Sequence, residues 1–472
     1  MTPGEFRKYA HELVDWMAGY MENVEKYPVK SQSAPGEILR KLPDNPPTAP
    51  ESFPDFMKDL EEIIMPGITH WQSPNFFAYF PANTSPPSIL AEMIISTLGT
   101  QCMIWETSPA AAELEEKMMI WLRDLIRLPP NFEGVIQDTA STSTLAAILT
   151  ARERATNFSI NEEGFSTPGT LRVYCSEQTH SSVEKAVRIA GIGRKNLVKV
   201  SVREDFSMDP VKLKEAIKDD KRKGLIPCCV VSTVGTTGTT AVDPVRLTGE
   251  ICAEYGIWLH VDAAMAGTAL ILPEFQWMLD GREYIDSFVF NPHKWMFTNF
   301  DCSAFFTSHP DLLIRTFEIL PEYLRTRTRG RVNDYRDWGV PLGRRFRALK
   351  LWSVIRMYGT DALREKIRMH IQIAGRLADM ISNEPDFEIL APVVINVVCF
   401  RFRPRGAGEE ELNRLNETLN HKLNDSGKIY LTHTVLNGRY TLRIVTGQTN
   451  VTFDHVSRAW ELIKVTAHEL QS

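Results

Sequence analysis

The stretch Ile285-Asp286-Ser287-Phe288-Val289-Phe290-Asn291-Pro292-His293-Lys294-Trp295 is an apolar run that breaks at a proline and is followed at once by a lysine. It reads as a β-strand that ends in a turn. A second such run, Ile257-Trp258-Leu259-His260-Val261-Asp262, ends in an acid 32 positions (294 − 262) before that lysine. Around both, from about 110 to 306, helical and strand patterns alternate. The spacing predicts helices over 111–128, 142–156, 181–190, 211–219 and 245–255, and strands over 171–175, 197–202, 226–233, 257–262 and 285–290. Such alternation predicts an α/β fold with a mostly parallel sheet flanked by helices. Ligand sites in such sheets lie at the C-terminal strand ends. His180, Thr237, Asp262 and Lys294 all fall just past expected strand ends, so they can meet in one crevice although they span 114 positions (294 − 180).

A lysine at one strand end and a carboxylate at another is the pair that pyridoxal phosphate chemistry needs. The amine forms a Schiff base with the cofactor aldehyde, and the acid holds the pyridine nitrogen protonated. The plainer alternative makes both residues ordinary surface groups beyond strand ends, with Asp262 as a cap. A phosphate needs backbone N–H groups at a helix start and small side chains that let the chain approach. Gln137-Asp138-Thr139-Ala140-Ser141-Thr142-Ser143-Thr144, just before an expected helix, meets that need, as it would meet that of a Ser/Thr cap. His260 shares a strand face with Asp262 by the period of two and reads as support.

At 472 residues the chain exceeds one ordinary core, so two or three domains are expected. Its 43% hydrophobic and 24% charged residues are those of a globular protein. A net charge of −6 gives no reason to expect a nucleic-acid partner. No apolar run is long enough to cross a bilayer. The start, Met1-Thr2-Pro3-Gly4-Glu5-Phe6-Arg7-Lys8, lacks the basic-then-apolar order of a secretion signal. The seven cysteines have no CxxC pairing and no metal-ligand spacing, and Cys228 and Cys229 sit in an apolar strand as small buried hydrophobes do. A cytoplasmic protein without metal or membrane partner is expected.

Residues 5–27 read as an amphipathic helix with Phe6, Tyr9, Leu13, Trp16, Met17 and Tyr20 on one face. Prolines 28, 35, 43, 46, 47 and 50 follow it, so the helix is expected to pack on another surface, of its own chain or of a partner. Near the other end a long helix through 349–356 and strand-like runs at 393–402 and 440–445 form a smaller α+β unit. The division expected is an N-terminal helical segment (1–85), a large domain (86–348) and a small C-terminal domain (349–472).

Several stretches carry a resemblance. They are Asn75-Phe76-Phe77-Ala78-Tyr79-Phe80-Pro81, Gln178-Thr179-His180-Ser181-Ser182-Val183-Glu184 and Leu259-His260-Val261-Asp262-Ala263-Ala264. With them go Phe290-Asn291-Pro292-His293-Lys294-Trp295, Asn299-Phe300-Asp301-Cys302-Ser303 and Pro341-Leu342-Gly343-Arg344-Arg345-Phe346-Arg347. In this order they resemble the pyridoxal-dependent aromatic L-amino-acid decarboxylases, the group II decarboxylases, over nearly the whole chain. The resemblance implies the PLP-dependent transferase fold of type I, with a seven-stranded-type sheet, and a homodimer that uses the N-terminal helices.

It also implies roles. Lys294 binds the cofactor, Asp262 pairs with its ring nitrogen, and the His180 imidazole stacks on the ring near the substrate. His293 stands beside the lysine. Ala140 and Ser141 take the phosphate, and Thr237 and Asn291 make further cofactor contacts. Residues 322–338 form a lid, in keeping with the polar, like-charged run Arg325-Thr326-Arg327-Thr328-Arg329-Gly330-Arg331, which on its own reads as a solvated loop. The lid's Tyr335 returns a proton to Cα. Tyr79, Phe80, Ala82, Met103, His180 and Gly343 line the substrate pocket. Ala82 and Met103 depart from the Thr and aromatic residue common in animal members. Gly343 stands where branches for smaller or more polar rings often have Ser, so it leaves room for an indole.

The activity expected is decarboxylation of an aromatic L-amino acid (tryptophan, tyrosine, phenylalanine or a hydroxylated form, with tryptophan favoured by Gly343) to an arylalkylamine and CO2. Three rivals stand beside it. One is an oxygen-consuming, aldehyde-forming enzyme on the same substrates, against which the presence of both His180 and Tyr335 speaks. Another acts on glutamate or histidine, although the aromatic Tyr79-Phe80 pair does not suit a glutamate side chain. The last is a dimeric scaffold without catalysis.

Overall fold

The computed structural model describes residues 1–165, 169–319 and 331–471. The part of the expected lid at 322–330, with most of its arginine run, lies outside them. By contact the described residues fall into two units, one of 1–81, 373–390 and 398–472, the other of 82–372 and 391–397. The three-part division above runs along the chain; grouping by contact puts the N-terminal segment together with C-terminal residues.

The larger unit is built on a seven-stranded sheet, β1 (Glu133–Gln137), β2 (Leu171–Ser176), β3 (Leu197–Val200), β4 (Ile226–Thr233), β5 (Trp258–Asp262), β6 (Ser287–Phe290) and β7 (Ser303–Thr307). Its order is β1-β7-β6-β5-β4-β2-β3. The pairs β2/β3, β2/β4, β4/β5 and β5/β6 are parallel. Both pairs made by β7 are antiparallel. Because β7 reverses between β6 and β1, the ends of β1, β2, β4, β5 and β6 all open on the same edge of the sheet.

All five residues of β5 and all four of β6 are buried. A sheet covered on both faces needs continuous apolar strands, and this is why those strands can be read in the sequence. The helices Ala140–Ala155 and Ser181–Ile189 supply part of that cover, packing Ile148, Ala151, Val183 and Val187 against Val173, Val231 and Trp258. Strands β1 and β7 were not anticipated. β1 has only five residues and contains Gly134, where an added Cβ would run into Met119 and Phe306.

In the other unit a four-stranded sheet, β8 (Phe387–Ile389), β9 (Val397–Phe402), β10 (Thr432–Leu436) and β11 (Arg439–Val445), has the order β10-β11-β9-β8. Phe387 and Phe400 of this sheet close on Trp460, with ring centroids 4.7 and 5.8 Å away. The N-terminal helix Pro3–Asn23 opens with a capping box made by Thr2 and Glu5. Tyr9 stacks on Phe53 at 4.6 Å and the Tyr20 hydroxyl lies 2.8 Å from His70 Nδ1, yet none of the helix's residues is buried. None of the seven cysteines forms a disulfide, and all are buried.

Candidate active site

Lys294 stands on a single helical turn, Pro292–Trp295, directly after β6. Asp262 is the last residue of β5 and lies opposite Val289 of β6 in parallel register. Both groups therefore emerge from neighbouring strands at the same edge. Burial lowers the Lys294 amine below the ordinary lysine range, and the Asp262 carboxylate pulls in the other direction. His180 follows β2 and caps the helix Ser181–Ile189. Its Nδ1 accepts the Ser182 N–H at 3.1 Å, which leaves the ring proton on Nε2. Partial burial lowers the His180 pKa; Asp262 opposes that shift and Lys294 adds to it. The three groups feel one another's charge, so they share one electrostatic neighbourhood.

The lysine turn is held from several sides. His293 Nδ1 accepts the Cys302 N–H at 2.8 Å, and its ring packs on Phe300 at 4.6 Å. Burial drives the His293 pKa to about 3, so the imidazole is neutral and shapes the turn. The Trp295 indole donates to His370 Nδ1 at 2.9 Å. Asn83 Nδ2 donates to the Lys294 carbonyl at 2.8 Å. His260 is also neutral, its pKa lowered by burial to about 4. It lies between Thr144 Oγ1 at 3.4 Å and Ser287 Oγ at 2.9 Å, a supporting place behind Asp262.

The helix Ala140–Ala155 begins at the end of β1. Its cap, Thr139, accepts the Thr142 N–H, so the N–H groups of Ala140 and Ser141 remain outside helical bonding, as first-turn donors do. Asn291 Oδ1 accepts from Ser303 Oγ at 2.7 Å, which leaves its Nδ2 as the amide group for a ligand. Thr237 is carried by a tight loop after β4. In that loop Gly235 has φ +84° and an added Cβ would lie 2.4 Å from Ala266 Cβ. Asp243, which the sequence reading missed, accepts the N–H groups of Thr233 and Met208 at 2.7 Å each and pins the same loop.

These features fit pyridoxal phosphate. A half-buried lysine with a lowered pKa beside a buried carboxylate suits an aldehyde and a ring nitrogen. Free helix-start N–H groups next to small side chains suit a phosphate.

Tyr335 does not stand where the lid reading put it. It is only 2% exposed and packs with Val135, Ala140, Val289 and Trp338 in a core cluster. The Arg344 guanidinium lies 5.0 Å from its ring, and burial raises its phenol well above the usual range. A phenol locked in this way cannot swing over a crevice. Of the two tyrosines in 322–338, the other, Tyr323, lies outside the described residues.

The expected substrate-lining residues divide between the units. Tyr79, at φ +50° and 48% exposed, stacks near Trp71 at 5.7 Å, and Phe80 is buried under Arg443. In the larger unit Ala82 and Met103 are half-buried and Gly343 is exposed. The Met103 carbonyl accepts the Arg336 N–H at 2.9 Å. Arg344, next to Gly343, is buried on Glu115 at 2.6 Å and on the Ile136 carbonyl at 2.8 Å. Neither Arg344 nor Glu115 was expected. Their partners lie 229 positions apart, and only the charged pair in an otherwise apolar setting could have signalled them.

A family model described as the pyridoxal-dependent decarboxylase conserved domain matches residues 35–403. The chain is similar to tyrosine decarboxylase 4 of Petroselinum crispum, 41% identical with 100% of this chain and 94% of that one covered. It is also similar to a phenylacetaldehyde synthase of Petunia hybrida, 42% identical over 98% of this chain and 94% of the other. The solved structure of Oryza sativa TDC with PLP and tryptamine superposes with a TM-score of 0.97 at 38% identity, covering 100% of this chain and 99% of that one.

Proposed function

This chain belongs to the pyridoxal-dependent decarboxylase family, and from that premise we propose that it removes the α-carboxylate of aromatic L-amino acids, giving arylalkylamines and CO2. The observation that carries the reading is the junction of Lys294, Asp262 and His180 at one edge of the sheet. Pyridoxal phosphate is the cofactor, and when bound it supplies an electron-withdrawing ring that takes up the electrons of the broken C–C bond.

The chain's own groups divide the work. Burial favours the neutral form of the Lys294 amine, the form that is nucleophilic toward an aldehyde. Asp262 holds a proton at a pyridine nitrogen. The N–H groups of Ala140 and Ser141, at the positive end of the helix, hold a phosphate, with Thr237 and Asn291 Nδ2 as further donors. His180 offers a flat ring and an Nε2–H toward the substrate side. The aromatic residues at 79 and 80, and the relative named for tyrosine decarboxylation, support an aromatic substrate over histidine or glutamate.

A second reading, aldehyde formation with consumption of O2, is favoured by the relative named phenylacetaldehyde synthase. With Tyr335 locked in the core, His180 alone speaks for the amine. The deciding experiment supplies tryptophan, tyrosine, phenylalanine and their hydroxylated forms together. Amines are then measured against aldehyde, ammonia and peroxide, with Lys294→Ala as the blank. Amine in excess is the expected result; stoichiometric peroxide and aldehyde would favour the second reading.

We also infer a homodimer. The helix Pro3–Asn23 buries no residue, and the helix Pro86–Leu98 exposes Leu90, Met93, Ile94 and Leu98. Apolar surface of that kind supports a second copy as its cover. A cytoplasmic location is supported by seven cysteines that form no disulfide. Among the described residues no helix is long and apolar enough to cross a membrane.

A further inference from the structure

After the four-residue turn Pro292–Trp295 the chain leaves regular structure until β7 begins at Ser303. Its backbone groups there have no ladder to join, and a buried carbonyl or N–H without a partner is costly. One short stretch of chain meets three of them. Asn83 Nδ2 donates to the Lys294 carbonyl at 2.8 Å, Ser85 Oγ donates to the Phe297 carbonyl at 2.7 Å, and Ser88 Oγ accepts the Asn299 N–H at 2.8 Å. All three side chains are buried. Phe297 itself has φ +54°, a conformation that persists only where its surroundings enforce it.

We propose that Asn83 is a positioning residue that fixes the backbone of Lys294 and so sets where its amine can reach. Of the three bonds, only that of Asn83 lands on the lysine. His293 and Trp295 on either side are anchored through their rings, whereas the donation from Asn83 holds Lys294 through its main chain. Asn83 also follows Ala82, which the sequence assigns to the substrate wall. Pressure on that wall is therefore one residue away from the lysine carbonyl. The inference rests on Lys294 being the residue that captures the cofactor.

Asp is isosteric with Asn but in its ionised form has no donor for the carbonyl, and Ala removes the side chain. The test uses the full chain stripped of cofactor. Pyridoxal phosphate is added, samples are quenched with borohydride over time, and the modified peptide containing residue 294 is quantified by mass spectrometry. Asn83→Asp and Asn83→Ala are expected to slow capture about tenfold, since small misplacements of a reacting group carry such penalties. Ser85→Ala, three residues downstream in its effect, should slow it about two- to threefold. In turnover kcat should fall with KM little changed. A purely structural role would lower the melting temperature and leave the capture rate alone. Capture at the wild-type rate in either folded Asn83 variant overturns the proposal. If neither Asn83 variant folds, a wild-type rate in Ser85→Ala overturns it and a slowed rate supports it. Lys294→Ala runs in parallel: an adduct elsewhere with retained turnover would sink the site reading itself, whatever Asn83 does.

Discussion

The Asp262 carboxylate and the Lys294 amine close neighbouring parallel strands, and they act on the same proton in opposite senses to burial. The lysine is thus held between a burial that favours its neutral form and a carboxylate that favours its charged one.

Asp262→Asn keeps the shape and removes the charge. Without that charge the Lys294 pKa falls further, so an amine-specific reagent should label Lys294 in the cofactor-free protein with a lower pH midpoint. Decarboxylation should nevertheless drop about a hundredfold or more, because loss of an essential charged group acts on that scale. Faster labelling together with slower turnover is the signature. Unchanged turnover would remove Asp262 from its role.

Three of the four buried histidines have strongly lowered pKa values, which makes acid sensitivity predictable. The pKa values of His260, His293 and His370 are lowered by burial from 6.5 to about 4, 3 and 3. Below the ordinary histidine value the unfolded chain gains protons that the native state refuses. Stability is full above about pH 6.5 and falls as pH drops toward the native values, by up to about 1.4 kcal/mol per pH unit for each group. Melting temperatures measured between pH 7 and pH 4 should fall steeply. His370→Gln, which retains an acceptor for the Trp295 indole, should make that fall shallower.

Tyr335→Phe should lose some stability and keep the ratio of amine to aldehyde, because the phenol is packed in a core cluster. The same change at Tyr323, the other tyrosine of the expected lid, is the comparison. If Tyr335→Phe diverts product to aldehyde while Tyr323→Phe does not, the burial argument fails.

Gly343→Ser should turn preference away from the larger ring. A Cβ at 343 would meet Gln101 Nε2 at 3.3 Å, and Gln101 Oε1 already holds the Arg344 N–H at 2.7 Å. The added side chain therefore has little room to sink into the protein. The ratio of kcat/KM for tryptophan over tyrosine is expected to fall about tenfold, the scale of a small volume change in an apolar pocket. Competition between the two substrates measures it.

Glu115→Gln strands the buried Arg344 guanidinium. The same Glu115 oxygen accepts the Ile136 N–H at 2.8 Å; Gln keeps an acceptor oxygen there, so what the change removes is the charge that Arg344 faces. Destabilisation of about 3–5 kcal/mol is expected from breaking such a pair, read by denaturant titration.

The sheet was legible because β4, β5 and β6 are covered on both faces and must be apolar throughout. The strand-end positions of His180, Thr237, Asp262 and Lys294 followed from the same alternation. β1 and β7 were not legible: they pair antiparallel with each other across a separation in sequence that no local pattern reveals. Tyr335 was misread for a physical reason. A polar, arginine-rich approach looks solvated, and nothing local reveals that the residues just after it dive under Arg344. Asn83 and Asp243 were invisible because their work is to satisfy backbone groups, and a chain of residue types does not show which carbonyls lack partners.

The concealment of every thiol has a practical corollary. Seven sulfhydryls lie beneath the surface, so an alkylating reagent finds none of them while the fold is closed. Each alkylation event then marks a molecule that has opened. Which cysteine reacts first names the region that opened, and the native enzyme carries a built-in set of reporters along both units without a single engineered label.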